Sequence, residues 1–280
     1  MHEEFWSTRL QRAGALRRRV VSGANGYRLI HGESDLLPGL IVDHYADLLV
    51  MQTLSFGMDR RRELLGDLLM QQTGAKAIYL RNDAKSRAHE GLPVEKGFLK
   101  GEHPTGFEIY EESARFLVDV ERGQKTGWFC DQRENRLAVA SLARDAEVLE
   151  VFCHTGAFGI QAALHGARSV LGLDVSAEAI AMAREHAVKN KVEAICAYRE
   201  ADAFEELRKL EQKGHCYDLV ILDPPAFARH KQALPKALAG YKEINLQALK
   251  LIRPEGFLAT CSCSHYVSEQ DLWDTILQAA

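Results

Sequence analysis

The C-terminal half of the chain alternates short apolar runs with helical periodicities. Residues 146–172 read AEVLEVFCHTGAFGIQAALHGARSVLG. A hydrophobic strand enters a short turn holding Thr155, Gly156 and Gly159, a helix follows, and a second strand ends on Asp174. A third strand is predicted over 194–199, followed by Glu200, Ala201 and Asp202. A fourth spans 217–222 and runs into Asp223-Pro224-Pro225-Ala226-Phe227. A fifth, 256–261, runs into Ser262-Cys263-Ser264. Between them lie helical patterns such as 177–190, with Ser176 as N-cap. Strands alternating with helices imply an α/β fold with a parallel sheet. Ligands of such sheets lie beyond the carboxyl ends of the strands, and Thr155, Asp174, Asp202, Asp223 and Cys263 all fall at or just past such ends.

The first 120 residues pattern differently, as a small α+β region. A charged helix is expected over 1–25. Apolar runs at 39–43 and 48–54 flank the turn-like 44–47 and predict a hairpin. A helix over 58–72 takes Gly74 as its stop, and a strand follows at 77–80. The polar, Gly- and Pro-punctuated 82–104 reads mostly as loop. Two strands fit within 107–120, where Phe116, Val118 and Val120 alternate. Segment 126–135 leads to a helix at 136–143. The domain expectation is therefore an α+β region over 1–125 and a nucleotide-type domain over 126–280.

Bulk properties narrow the class. The charged N-terminus lacks an apolar signal core, and no apolar run approaches the ~20 residues of a membrane span, so a cytoplasmic protein away from the membrane is expected. The six cysteines form no C-x-x-C pair and suit neither a disulfide framework nor a zinc site, so no metal is expected. The net charge of −4 does not advertise nucleic-acid binding, but Arg17–Arg19 and Arg60–Arg62 are basic clusters of the kind that contact phosphate. A solvated helix face explains each run equally well.

The glycine-containing turn lacks the full G-x-G-x-x-G pattern, because Phe152 and His154 stand where a dinucleotide enzyme needs small residues. That disfavours a pyrophosphate and an NAD oxidoreductase. S-adenosylmethionine (SAM) has an adenosine and an amino-acid tail without phosphate, and it fits. Gly156 lets the backbone approach the ligand, and Asp174 is placed to hold a ribose hydroxyl pair. Asp202 is read as an adenine contact, against simple favour for its helix N-terminus. Gly123-Gln124-Lys125-Thr126-Gly127 approaches a phosphate loop in composition, but its order is wrong. The Asp223-Pro224-Pro225 turn is stiff and can hold a flat base.

Cys263 is the sharpest candidate. Carbon 5 of a pyrimidine is a weak nucleophile. A thiolate added to carbon 6 makes an enamine-like base whose carbon 5 attacks a sulfonium methyl. Most cysteines are inert packing residues, which is the better reading of Cys261. Cys263 lies past a strand end between two serines.

Taken together, Asp131-Gln132-Arg133, Phe152-Cys153-His154-Thr155-Gly156, Asp223-Pro224-Pro225-Ala226-Phe227, Gly240-Tyr241-Lys242-Glu243-Ile244-Asn245 and Ser262-Cys263-Ser264 resemble one family. It is the class I SAM-dependent 23S rRNA 5-methylcytosine methyltransferases of the bacterial large-subunit type. The likeness extends through residues 27–35 and 123–127 and covers nearly the whole chain. The resemblance implies a Rossmann-like SAM-methyltransferase domain, C-terminally short, behind a smaller α+β domain that serves as an RNA platform. It implies Cys263 as nucleophile and Asp223 against the target base. It implies SAM contacts near Gln132, Arg133, Phe152, Thr155, Gly156, Asp174 and Asp202, and 23S rRNA as partner. Family members usually begin with a PUA domain and continue past the last helix with further strands. Neither is present here, so the chain reads as truncated or as a short member, with an open edge beside 257–261 and self-association as a homodimer expected. Two rivals stay open: an rRNA guanine methyltransferase on the same scaffold, which needs no nucleophilic cysteine, and a non-catalytic RNA-binding assembly factor.

Overall fold

In the computed structural model, which describes residues 3–228 and 230–280, the chain divides into two compact units, Met1–Arg133 and Glu134–Ala280. Met1 and His2, part of the expected first helix, lie outside the described residues. The division falls after Arg133 rather than after Lys125. Thr126 explains why: its buried hydroxyl lies 3.0 Å from the Tyr45 hydroxyl and donates to Asp43, so this segment belongs to the first unit.

The first unit opens with α1 (Glu3–Val20), whose stripe Trp6, Leu10, Ala13 and Gly14 is buried at helical spacing. Strands β1 (Gly26–His31), β2 (Leu40–Tyr45) and β3 (Leu48–Thr53) pair antiparallel in sequence. The two short helices α2 (Phe56–Asp59) and α3 (Arg62–Thr73) lead to β4 (Ala77–Asn82), parallel to β3. Then β5 (Glu95–Lys100) closes a mixed five-stranded sheet in the order β1-β2-β3-β4-β5. Apolar faces of α1, α3 and the sheet share one core, from Trp6 and Leu10 through Leu65 and Leu69 to Ile78. The hairpin β6 (Gly106–Glu111) and β7 (Ala114–Asp119) completes the unit.

Two sequence expectations are corrected. The helix expected over 58–72 breaks at Arg60 and Arg61, because Asp59 turns its carboxylate to Thr53 (2.7 Å) and to fully buried Arg87 (2.9 Å), tying α2 to the end of β3. The expected loop 82–104 contains β5, which has no apolar alternation and is held by ladder bonds to β4 instead. Gly74 does stop α3, in the left-handed conformation at φ 73°.

The second unit begins within α4 (Arg133–Ala140), which starts before the expected 136, and continues with five βα steps. They are β8 (Glu147–Val151), α5 (Ala157–Leu164), β9 (Ser169–Asp174), α6 (Ala177–Lys189), β10 (Cys196–Glu200), α7 (Ala203–Gln212), β11 (Tyr217–Leu222), α8 (Leu234–Lys250), β12 (Ile252–Thr260) and α9 (Glu269–Ala279). These strands pair parallel throughout, in the order β10-β9-β8-β11-β12. The sheet order reverses beside β8, which makes its carboxyl end the topological switch point. The core, including Leu149, Val151, Leu207, Val220, Leu222 and Ile244, lies between the sheet and its helices. Among the described residues no helix is long and apolar enough to cross a membrane.

Asp43 is the electrostatic anchor of the first unit. Its carboxylate is fully buried, accepts two guanidinium bonds from Arg28 (2.8 and 2.9 Å) and accepts from Thr126. Asp43→Ala would strand the half-buried Arg28 and the buried Thr126 hydroxyl. It is expected to cost about 2–4 kcal/mol in denaturant unfolding followed by a first-unit probe, and an unchanged midpoint would show the pair to be dispensable.

Candidate active site

The turn leaving β8 runs from Phe152 to Gly156 and is strained. Phe152, His154 and Gly156 have φ of 61°, 47° and 76°, and the first two are not glycine. Such a turn must be held from outside, and Asp174 at the end of β9 holds it. One carboxylate oxygen accepts from the His154 N–H (2.8 Å) and the other from the Ser176 N–H (2.9 Å). Each oxygen has a second acceptor site, so the carboxylate can still receive hydroxyl donors. The Thr155 carbonyl accepts from Nδ1 of the buried His186 at 2.9 Å. Gly156 has a packing reason beyond any ligand: a Cβ there would stand 2.7 Å from the Tyr198 hydroxyl.

Sequence reasoning missed Glu150. It lies in β8, is almost fully buried, and accepts from the N–H groups of Phe158 (3.2 Å) and Gly159 (3.0 Å) at the start of α5. Gly159 leaves room for it, since a Cβ would meet its carboxylate at 2.6 Å. Burial pushes the Glu150 carboxyl up to about 8, and the Asp223 and Asp174 carboxylates push in the same direction. The available signal was one acid in the otherwise apolar Val148-Leu149-Glu150-Val151.

On the far side of β8, the Asp223 N–H reaches the Val151 carbonyl (3.3 Å) and carries the β11 ladder one step past the strand. Pro224 then turns its carbonyl to the Cys263 thiol, with Sγ at 3.7 Å. Cys263 is exposed, whereas Cys153 and Cys196 are buried. Burial raises both of those thiols, Cys196 to about 12, which removes them as nucleophiles near neutral pH. Cys261 continues the ladder by donating its N–H to the Leu222 carbonyl (2.8 Å). An aromatic group lines the same edge: the Phe227 ring lies 4.7 Å from Tyr241, 6.4 Å from Phe204 and 6.5 Å from Phe152.

The other sequence-predicted residues fall as follows. Asp202 is exposed and caps α7, its carboxylate accepting from the Glu205 N–H at 3.0 Å, so the capping role is realised. Gln132 closes a short turn at the end of the first unit and Arg133 opens α4. The turn 152–156, Asp174, Asp202, Asp223 and Cys263 all belong to the carboxyl edge of the second unit's sheet. Of the basic clusters, Arg17 pairs with Asp35, Arg62 with Glu95, and Arg61 lies over the Trp6 ring. Arg18, Arg19 and Arg60 remain exposed.

The donor set of this edge is acidic and aromatic. Three carboxylates, those of Asp174, Asp202 and Asp223, repel a pyrophosphate and favour a cationic ligand with a hydroxyl pair and a flat ring. SAM, a sulfonium with a ribose and an adenine, fits that set. A family model described as S-adenosylmethionine-dependent methyltransferase matches residues 69–277. The chain belongs to this family. Its cofactor is SAM, and its parallel, Rossmann-like sheet is the family's catalytic scaffold.

Among curated relatives, the ribosomal RNA large subunit methyltransferase I of Shewanella denitrificans is 43% identical over 281 residues, covering 99% of this chain and 70% of that protein. The protein of the same name from Shewanella amazonensis is 44% identical over 265 residues, covering 93% and 67%. Among solved structures, the methyltransferase SMU.776 in complex with SAH superposes with a TM-score of 0.85 at 23% identity, over 100% of this chain and 72% of its own.

Glu150 gives the methyltransferase a specific pH signature. Its folded value, about 8, lies above the ordinary 4.5, so the folded state holds more protons than the unfolded state between those values. Its stabilising contribution is full at the acidic end and is lost as pH rises through about 8. The melting temperature of the native protein minus that of Glu150→Gln should therefore shrink steadily as pH rises across this window. A constant difference would show that Glu150 is ionised throughout.

Proposed function

We propose that the chain transfers a methyl group from SAM to carbon 5 of a cytosine in 23S rRNA through a covalent bond between Cys263 and the base. The observation that carries this reading is the exposed Cys263 thiol at the sheet's carboxyl edge, against the carbonyl that follows Asp223. The ribosomal RNA methyltransferase names of the 43% and 44% identical relatives support the substrate.

Bound SAM supplies an electrophilic methyl group. The Phe152–Gly156 turn and Asp174 would hold it, with Asp174, which fixes the turn by accepting from the His154 N–H, free at its second acceptor sites to take the ribose hydroxyls. Asp202 and the ring of Phe204 would take the adenine, and Gln132 and Arg133 are the further SAM residues that the family resemblance implies. Asp223, stiffened by Pro224 and Pro225, sits against the cytosine. The Cys263 thiolate forms a bond to carbon 6, and the displaced π electrons make carbon 5 nucleophilic. Carbon 5 takes the methyl group as the carbon–sulfur bond breaks and its electron pair stays on sulfur, leaving a neutral thioether, and carbon 5 then loses its proton to a base. The electron pair left behind restores the ring double bond and expels the thiolate. The α+β region, with Arg18, Arg19 and Arg60 exposed, serves as the RNA platform.

The two halves of the site are separable. Asp174→Ala removes a charged acceptor and should weaken SAM about ten- to a hundred-fold in titration calorimetry, from about 1.5–3 kcal/mol. Cys263→Ala should bind SAM with native affinity yet transfer no methyl to rRNA, and Cys261→Ala should keep substantial activity. Methylation at a normal rate by Cys263→Ala would favour a guanine-type reaction and overturn the proposed one.

A further inference from the structure

Nothing in the chemistry above assigns a role to Tyr241, yet it is fully buried and its hydroxyl stands at the centre of the nucleophile's turn. It lies on the inward face of α8, in line with Ala237, Ile244 and Ala248. The Ser262 hydroxyl donates to it at 2.9 Å, so the phenol is left to donate to the Ser264 hydroxyl at 3.0 Å. Ser264 Oγ in turn accepts the N–H of Ala228 at 3.2 Å, and Ser262 Oγ accepts the N–H of Ser264 at 3.3 Å. One phenol thereby grips the residues on both sides of Cys263 and ties them to the end of the Asp223–Ala228 loop. Its ring secures the same loop from the side, packing 4.7 Å from Phe227. Gly240 is needed for that approach, because a Cβ there would come to 3.3 Å of the Phe227 ring.

The ring alone would satisfy the packing, and a phenylalanine would fill the same space. The hydroxyl is the costly part, since a buried phenol must find partners. Its partners are the two serines that bracket the thiol, and Ser264 is itself buried. We infer that the Tyr241 hydroxyl is a positioning group that holds the Ser262–Ser264 turn against the Pro224–Ala228 loop, so that the Cys263 thiol meets the base without a further ordering cost. This inference rests on the reading of Cys263 as nucleophile. Tyr241 touches neither cofactor nor base in this account and acts through the turn.

The test is Tyr241→Phe, which keeps the ring and removes the phenol oxygen. Amide hydrogen exchange should speed up about tenfold at Ala228 and Ser264, while β8 and β9 keep native protection. In steady-state assays with SAM and rRNA, kcat should fall about tenfold while KM for SAM stays within about twofold. The double variant Ser262→Ala, Ser264→Ala removes the same bonds from the other side. It should reproduce both effects, and adding Tyr241→Phe to it should cost little more. The double variant decides the question if Tyr241→Phe does not fold. Unchanged exchange and kcat, or a rise in KM for SAM matching the fall in kcat, would overturn the inference. If the native enzyme leaves cytosine unmethylated, the nucleophile reading fails instead, and the exchange rates still decide whether the hydroxyl orders the turn.

Discussion

Parallel pairing of β8 with β9 on one side and β11 on the other is the constraint on which the rest depends. Because the paired strands run the same way, the chain must leave each of them at the same edge. The sequence following each strand is thereby delivered to one line: the strained turn after β8, Asp174 at the end of β9, the Asp-Pro-Pro turn after β11 and the Ser-Cys-Ser turn after β12. Residues far apart in the chain, such as Val151 and Asp223, become neighbours without any long-range signal in the sequence. The order reversal at β8 opens the crevice there.

Holding that edge in a reactive arrangement costs backbone strain and a buried carboxyl, and both are met by local hydrogen bonds. Asp174 holds the left-handed turn across the sheet, and Glu150 holds the start of α5 from beneath it. The carboxylates of Asp174, Asp202 and Asp223 make the edge negative, which has a consequence for ligand choice. An edge with this many carboxylates suits a sulfonium far better than a phosphate, which is the physical side of membership in the SAM-dependent family.

Much of this was legible in the sequence, for particular reasons. The central strands β8 and β11 are buried along nearly their whole length, so they read as continuous apolar runs, and Ser176 caps its helix by accepting from the Ala179 N–H. That Asp223 and Cys263 share the sheet's carboxyl edge followed from the fold class once both were placed at strand ends. What escaped was held by tertiary pairing. The polar strand β5 exists because β4 offers it a ladder, and the break at Arg60–Arg61 exists because Arg87 and Thr53 claim Asp59. Glu150 was passed over because an acid inside an apolar run has no periodic signature. The boundary moved past Lys125 because a single hydroxyl, that of Thr126, is bonded to residues about eighty positions earlier.

The central claim is that Cys263 attacks the base, and trapping tests it most directly. Loss of the carbon-5 proton is what releases the enzyme, so an rRNA fragment carrying 5-fluorocytidine at the target should remain bound to it after methyl transfer. Peptide mapping of that adduct by mass spectrometry should find the nucleotide on Cys263, with one methyl group added to the base. An adduct on Cys261, or methyl transfer to rRNA with no adduct at any cysteine, would contradict the account.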